Sequence, residues 1–187
     1  MSKLYQEIRE WVEKNCFNAK HLVRSAYWAK KLDPEVDEAI IIAALTHDID
    51  RVFPGPDEIK SPFPSGLTDK EYNNLYKKHG LRASRIVGEF LEKRGAKKKL
   101  INKVKKSVEK HEFGGTYEQN LVKDADSISF LEVNLPVFIG FIPEKRTKGE
   151  VRRKFEFMFE RITLPEAKKI AKPFFKEAMA KLKKVRE

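Results

Sequence analysis

Residues 39–50 read AIIIAALTHDID, an apolar run that is followed by a threonine, a histidine and two aspartates separated by one isoleucine. The apolar part, residues 39–45, is the longest such run in the chain and is far too short to cross a bilayer. Ile40, Ala44 and His47 recur at helical spacing, so the run predicts a buried helix that turns His47 toward the core. A histidine in that position needs a polar partner inside the protein.

The rest of the chain is also helical in pattern, and we expect an all-α, single-domain helical bundle over residues 1–187. Apolar residues recur at helical spacing throughout, and no stretch alternates with the period of a strand. The predicted helices cover residues 3–15, 18–32, a third that starts at Asp33-Pro34, 68–94, 97–111, 119–133, 150–162, and a last one from Thr163, with Pro173 expected to kink or split it.

Two segments interrupt this pattern. Residues 51–67 contain four prolines and two glycines, which predicts a loop that serves either as a lid or as a tolerated surface insertion. Residues 135–143 are apolar but contain two prolines and a glycine, and we expect a buried irregular connection there. Two capping boxes, at Thr68 and at Thr163, predict the starts of the helices that follow them.

All four histidines of the chain lie on the apolar stripes of their predicted helices. They are His21, His47, His79 and His111. One inward histidine is an ordinary core residue, but burying every imidazole of the chain requires a hydrogen-bond partner for each. A metal ion would give the four a common partner, and helical bundles build metal sites from facing helices.

Aspartates accompany these histidines in segments that look buried. Asp48 directly follows His47, and Asp124 and Asp126 lie in the apolar stretch VKDADSI. A buried aspartate without a partner is costly, and a cation removes that cost. Mixed histidine and aspartate ligands suit Mn, Fe, Co, Ni or Zn, with Mg as a further candidate. The chain has one cysteine, Cys16, which argues against a structural zinc knuckle.

In this order, H…HD…D, the sequence resembles the HD-domain metal-dependent phosphohydrolase superfamily. The resemblance covers about residues 18–132, and residues 150–185 look like the trailing helices of small HD proteins. It implies an HD-type fold with one domain, on whose core the C-terminal helices pack. It also implies that the divalent transition metal is held by His21, His47, Asp48 and Asp126.

Some members of that superfamily bind two metal ions, with two more histidines between the HD pair and the last aspartate. His79 and His111 occupy those places here, so the resemblance implies one or two ions. The alternative is that His79 and His111 support the other ligands or face the phosphate. The sequence departs from the familiar pattern at Asp50, where a glycine commonly follows His-Asp-Ile.

The resemblance implies a phosphohydrolase that uses metal-activated water on a small phosphorylated metabolite, with a nucleotide favoured. Asp48 would hold the water or bridge two ions. Three arginines follow proposed ligands by three residues, and one lysine precedes Asp126 by three. These cations are our candidates for phosphate binding, and the first and last of them join Asp48 as predicted catalytic residues: Arg24, Arg51, Arg82 and Lys123. For each, an exposed surface charge is the alternative.

Two other functions stay open. Dinuclear iron oxygenases share the fold and the six-ligand pattern. A non-catalytic, metal-stabilised module could instead bind nucleic acid, since the net charge is +11 and Lys and Arg concentrate in residues 93–110 and 145–187. We favour solvated helix faces as the explanation for that charge.

The cellular setting is predicted from composition and from the first residues. Cys16 has no partner for an internal disulfide, and the N-terminal residues contain no apolar signal core. We therefore expect a cytoplasmic protein without a membrane partner, acting on a small substrate. The sequence does not decide the oligomeric state.

Overall fold

The computed structural model describes residues 1–53, 55 and 68–185, and within these ranges every regular element is a helix, as the sequence predicts. The elements are α1 (Lys3–Asn15), α2 (Ala19–Leu32), α3 (Glu38–Thr46), a 3-10 helix (Ile49–Val52), α4 (Asp69–Glu92), α5 (Lys98–Glu109), α6 (Tyr117–Val133), α7 (Leu135–Ile139), α8 (Lys148–Glu160) and α9 (Pro165–Lys184). Most of the Pro-rich segment, residues 54 and 56–67, and with it the predicted lid or insertion, lies outside the described residues.

Helix α3 is the centre of the bundle. All residues from Ala39 to Thr46 are buried, because α1, α2, α5 and α6 pack around the helix. A helix that is apolar on every side is stable only when it is covered on every side. This arrangement places His47, which directly follows α3, in the middle of the protein.

The start of α3 differs from the prediction. Asp33-Pro34 does not begin the helix, because Asp33 ends α2 by donating its N–H to the Ala29 carbonyl at 3.2 Å. The Asp33 carboxylate also accepts the N–H of Glu35 at 3.0 Å, which closes a turn. Asp37 caps α3 instead, through the N–H of Ala39 at 2.9 Å.

The two predicted capping boxes have different outcomes. Thr68 opens α4 through a complete capping box, as predicted. The predicted capping box at Thr163 is wrong, because the backbone N–H groups of this turn donate to a buried carboxylate of α6 instead. The N–H groups of Thr163 and Leu164 donate to Asp124, with a shortest distance of 2.7 Å at Leu164. Helix α9 then runs from Pro165 to Lys184 without a break, so Pro173 does not split it.

The apolar segment 135–143 is neither irregular throughout nor fully buried, so that prediction is wrong. Its first five residues form helix α7, and Val137 is 53% exposed. Phe138 and Phe141 are half-buried. These side chains line a cavity, and this position explains apolar residues that do not enter the core.

The C-terminal helices pack on the helix that carries Asp126. Both α8 and α9 contact α6, and they also contact each other. Among the described residues, no helix combines the length and the apolar character needed to cross a bilayer.

Candidate metal centre

The four histidines form one continuous buried row. The ring centroids are 5.3 Å apart for His21 and His47, 5.1 Å for His47 and His111, and 5.0 Å for His79 and His111. The residues come from α2, the end of α3, α4 and the turn after α5. Imidazoles that are up to 90 positions apart in the sequence therefore share one site.

Two aspartates face this row through their carboxylates. Asp126 Oδ1 lies 3.0 Å from His21 Nε2 and 3.4 Å from His47 Nε2. Asp48 Oδ1 lies 2.9 Å from His79 Nε2. Nitrogen and oxygen ligand atoms thus converge from five separate segments of the chain.

The arrangement contains two groups of residues that could hold a metal ion. The first is His21, His47 and Asp48, and the second is Asp48, His79 and His111. Within each group, the ligand atoms lie within 4.8 Å of one another. Asp48 belongs to both groups, so the two candidate positions are neighbours with a shared carboxylate.

Backbone carbonyls fix the orientation of two of the imidazoles. His47 Nδ1 lies 2.9 Å from the Ala44 carbonyl, and His111 Nδ1 lies 2.6 Å from the Val108 carbonyl. A carbonyl oxygen only accepts, so each Nδ1 carries the hydrogen and each Nε2 faces the cluster. This is the tautomer that presents Nε2 as a metal ligand.

Side chains orient the other two imidazoles in the same way. The Ser129 hydroxyl donates to the His21 carbonyl at 2.7 Å, so its oxygen accepts from His21 Nδ1 at 2.9 Å. Asp50 accepts from His79 Nδ1 at 2.9 Å. Asp50, the departure from the familiar motif, therefore holds a predicted ligand in place.

The donor set fits a divalent transition metal. His111 Nε2 is buried and has no hydrogen-bond partner in the described structure, although buried polar atoms are nearly always paired. A cation beside His111 and Asp48 would satisfy this nitrogen. Imidazole and carboxylate ligands together match the preferences of Mn, Fe, Co, Ni and Zn.

Protons compete with a metal ion for this site. Burial disfavours a charged imidazole, but the carboxylate of Asp126 raises the pKa of His47 to about 9. Burial also opposes protonation of His79, whose contacts with Asp48 and Asp50 raise its pKa to about 9. Without a metal, both imidazoles hold a proton at neutral pH, and a metal must displace it.

A buried ion-pair network beside the cluster was missed by the sequence reasoning. Arg161 donates to the carboxylates of Asp126 and Glu112 and, at 2.8 Å, to the Ser127 hydroxyl. Although burial opposes ionisation, Arg161 holds the pKa of the Asp126 carboxyl well below its usual range. Glu112 could have been found because it follows His111, but Arg161 lies on a distant helix and carries no local signal.

One predicted phosphate-binding cation lies beside the cluster. Arg51 Nε is 3.5 Å from Asp48 Oδ1, and Arg51 Nη2 is 3.5 Å from His79 Nε2. Its side chain also lines the cavity described below. The charge of Arg51 lowers the pKa of the Asp48 carboxyl, against the opposing effect of burial.

The structure places the other three predicted cations elsewhere. Arg24 pairs with Glu132 at 2.6 Å and covers the Tyr27 ring. Arg82 donates to the Asp50 carbonyl at 2.7 Å. Lys123 donates to the Thr163 hydroxyl at 3.2 Å. None of the three lines the cavity, so their roles in phosphate binding and catalysis stay predictions without support from this geometry.

A cavity of about 450 Å³ opens beside the histidine row. This volume lies within the usual range for small-molecule sites. The ionisable residues of its wall are His21, His47, Asp48, Glu112 and Asp126, with the cations Lys20, Arg51, Lys154 and Arg161. The remaining lining residues are mainly apolar, namely Phe17, Phe130, Val133, Val137, Phe138, Phe141 and Met158, with Asn18 and Asn134.

Buried histidines and aspartates that converge beside a cavity of a helical bundle form an arrangement that could hold a metal ion. The HD domain family model matches residues 18–131, and the chain belongs to this family. Members are generally metal-dependent phosphohydrolases. A search of curated proteins and a search of solved structures found no significant match to the chain.

Proposed function

We propose that the protein is a metal-dependent phosphohydrolase that acts on a small phosphorylated metabolite. The observation that carries this proposal is Asp48, which belongs to both ligand groups and lines a cavity beside Arg51. Ions bound there would supply a water of lowered pKa and would neutralise charge on the phosphoryl oxygens.

The residues of the chain divide this work between them. Asp48 stays ionised at neutral pH, because its pKa is well below the usual range, and its carboxylate is available to both candidate positions. Arg51 lines the cavity next to Asp48 and supplies a positive charge for the phosphoryl group. Arg161 holds Asp126 in the orientation that faces His21 and His47.

The test is the substitution Asp48→Asn, with Asp37→Asn as the control. Asp37 is an exposed helix cap, and asparagine keeps the cap. We expect Asp48→Asn to reduce both metal content and hydrolysis of a phosphomonoester panel by at least about 100-fold, with helicity unchanged. Metal analysis, circular dichroism and turnover are the measurements. Full metal content and activity in Asp48→Asn would refute the assignment.

A dinuclear iron oxygenase is the second candidate. His79 and His111 form the second ligand group with Asp48, and with His21, His47 and Asp126 they are the six residues that the resemblance implies for such enzymes. The two candidates differ in what they consume. Oxygen uptake by iron-loaded protein, without phosphate release from any ester of the panel, would favour the oxygenase.

The nucleic-acid alternative depends on the lysines of α5. Lys103 lies 2.9 Å from Asp37 and 2.7 Å from Glu118, so a central lysine of this helix is already in ion pairs. Binding of this face to nucleic acid stays a prediction. A steep salt dependence of RNA or DNA binding is the result that would favour it.

A further inference from the structure

We propose that the cavity selects a phosphate ester with one phosphoryl head and an apolar body, the head at the histidine row and the body against α6 and α7. This inference rests on the proposed function and narrows its substrate class. It differs from the nucleotide favoured by the sequence, because the wall that would meet a sugar and base is mainly apolar.

The direction of the cavity follows from one face of α6. Asp126, Phe130 and Val133 all line the cavity and lie at helical spacing on the same side of the helix. At a rise of about 1.5 Å per residue, Val133 is about 10 Å along the axis from Asp126. The cavity therefore extends from a metal-ligand position along a face that becomes apolar within one turn.

Aromatic rings continue this face beyond Phe130. The ring of Phe138 lies 4.9 Å from that of Phe130 and 5.4 Å from that of Phe141, measured between centroids. Val137 stands at the edge of the same wall and is 53% exposed. An apolar ligand would cover this surface, whereas sugar hydroxyls placed there would lose water without gaining many partners.

Lys154 stands between the two ends. Its ammonium lies 5.4 Å from the centroid of Phe130, and the side chain is buried. On the other side, Lys154 interacts electrostatically with Glu112 and Asp126. Arg51, beside Asp48, and Lys154, beside Phe130, both line the cavity, and these are the cations that we assign to the phosphoryl head.

Most residues of the apolar wall lie outside the part of the chain that matches the HD family. Val133, Val137, Phe138, Phe141 and Lys154 all follow residue 131, at which the HD match ends. The candidate metal ligands, by contrast, lie within the match. Apart from Phe130, the apolar wall on α6 and α7 thus lies beyond the residues that match the family model.

The test measures binding of alkylphosphonates, which are not hydrolysed, to the full-length, manganese-loaded protein by calorimetry. The series consists of methyl-, butyl- and hexylphosphonate, so the head is constant and the apolar body grows. Each fully buried methylene strengthens binding by about fourfold. We expect hexylphosphonate to bind at least about 30-fold tighter than methylphosphonate.

Variants separate the two ends of the ligand. Val137→Asn should weaken hexylphosphonate binding by at least about fivefold and leave methylphosphonate binding unchanged. Leu81→Asn is the matched control, since Leu81 is 55% exposed and does not line the cavity. Lys154→Met should weaken every member of the series by a similar factor of about tenfold. Melting temperatures of all variants report folding.

The outcomes distinguish this inference from the proposed function. Equal affinity across the series would overturn the apolar-body inference while leaving the phosphohydrolase proposal intact. Tighter binding of a nucleoside monophosphate than of hexylphosphonate would overturn the inference in the same way. If methylphosphonate and the longer probes all fail to bind to protein shown to contain metal, the proposed function fails and the inference fails with it.

Discussion

The two ends of the cavity differ in origin. The candidate ligands at the inner end lie within the HD match, with His21 and Asp126 close to its two limits. The outer end is built from the last turn of α6, from α7 and from α8, and apart from Phe130 its residues follow the match. The inner end carries the features expected of the family, whereas the outer end carries the features that would decide which ester enters. Within one cavity, the candidate metal ligands and most of the apolar wall thus come from different parts of the chain.

Substitution of Arg161 shows whether the metal-ligand end of the cavity depends on residues that follow the HD match. Among the variants, it should cause the largest loss of stability. Arg161→Met removes a buried cation from between Asp126 and Glu112, leaving two buried carboxylates without that partner. We expect a loss of about 3 kcal/mol in the free energy of unfolding of the metal-free protein. Chemical denaturation is the measurement.

The control for this prediction is Arg85→Met. Arg85 forms an exposed pair with Glu89, for which a loss of about 0.5 kcal/mol or less is expected. If Arg161→Met and Arg85→Met had the same stability, the ion pairs of Arg161 with Asp126 and Glu112 would not stabilise the metal-ligand end.

Substitution of Gly80 should disturb the metal-ligand end of the cavity without changing its apolar wall. A Cβ at this position would lie 2.4 Å from the backbone oxygen of Glu109, so Gly80→Ala must push α4 and α5 apart. His79 and His111 lie next to this contact, and their separation should change. We expect a destabilisation of about 2 kcal/mol and the loss of one bound ion, measured by denaturation and by metal analysis.

Gly149→Ala is the matched substitution, because the nearest atom to its added Cβ is 3.7 Å away. It should keep both the stability and the metal content. Normal metal content in Gly80→Ala would mean that the close packing of α4 and α5 does not position the second ligand group.

A change of pH should alter metal affinity at the inner end of the cavity and leave apolar binding at the outer end unchanged. The expected effect is smaller than those of the substitutions. His47 and His79 have a pKa of about 9 without metal, so they are protonated at neutral pH and must lose those protons to bind an ion. Metal affinity should therefore fall as the pH is lowered from 7.5 to 6.5, by about tenfold for each of these imidazoles that binds the ion.

The gain in affinity per methylene should stay constant over the same pH interval, since the apolar wall does not titrate. Metal titrations and phosphonate calorimetry at the two pH values give both quantities. A metal affinity that did not change with pH would exclude these imidazoles as ligands.

The sequence predicts the parts of the fold that depend on local chemistry. Helical spacing places His47 and His111 toward the core, and the Thr68 capping box marks the start of α4. The sequence-based prediction of helix ends fails where one residue could serve either of two neighbouring elements. Asp33 has the features of a helix start but closes the preceding helix, and Thr163 donates to a buried carboxylate from α6.

The site shows the same limit. The burial and clustering of His21, His47, His79 and His111 were predictable, because each histidine lies on the apolar stripe of its helix. The partnership of Arg161 with Asp126 was not, because it depends on how α8 packs on α6. The apolar pattern of residues 135–143 predicts a buried irregular connection, because the sequence does not distinguish an apolar residue that packs inside from one that lines a cavity.

The hydrogen bonds from the turn before α9 to Asp124 limit how this protein can be recombined with its relatives. Asp124 lies two positions before Asp126, yet it holds the turn at Thr163 and Leu164, beyond the end of the HD match. A chimera joined at residue 131 would separate this carboxylate from the donors that satisfy it. Grafting the selectivity of this chain onto another HD scaffold would therefore require α6 through α9 to be exchanged as one block.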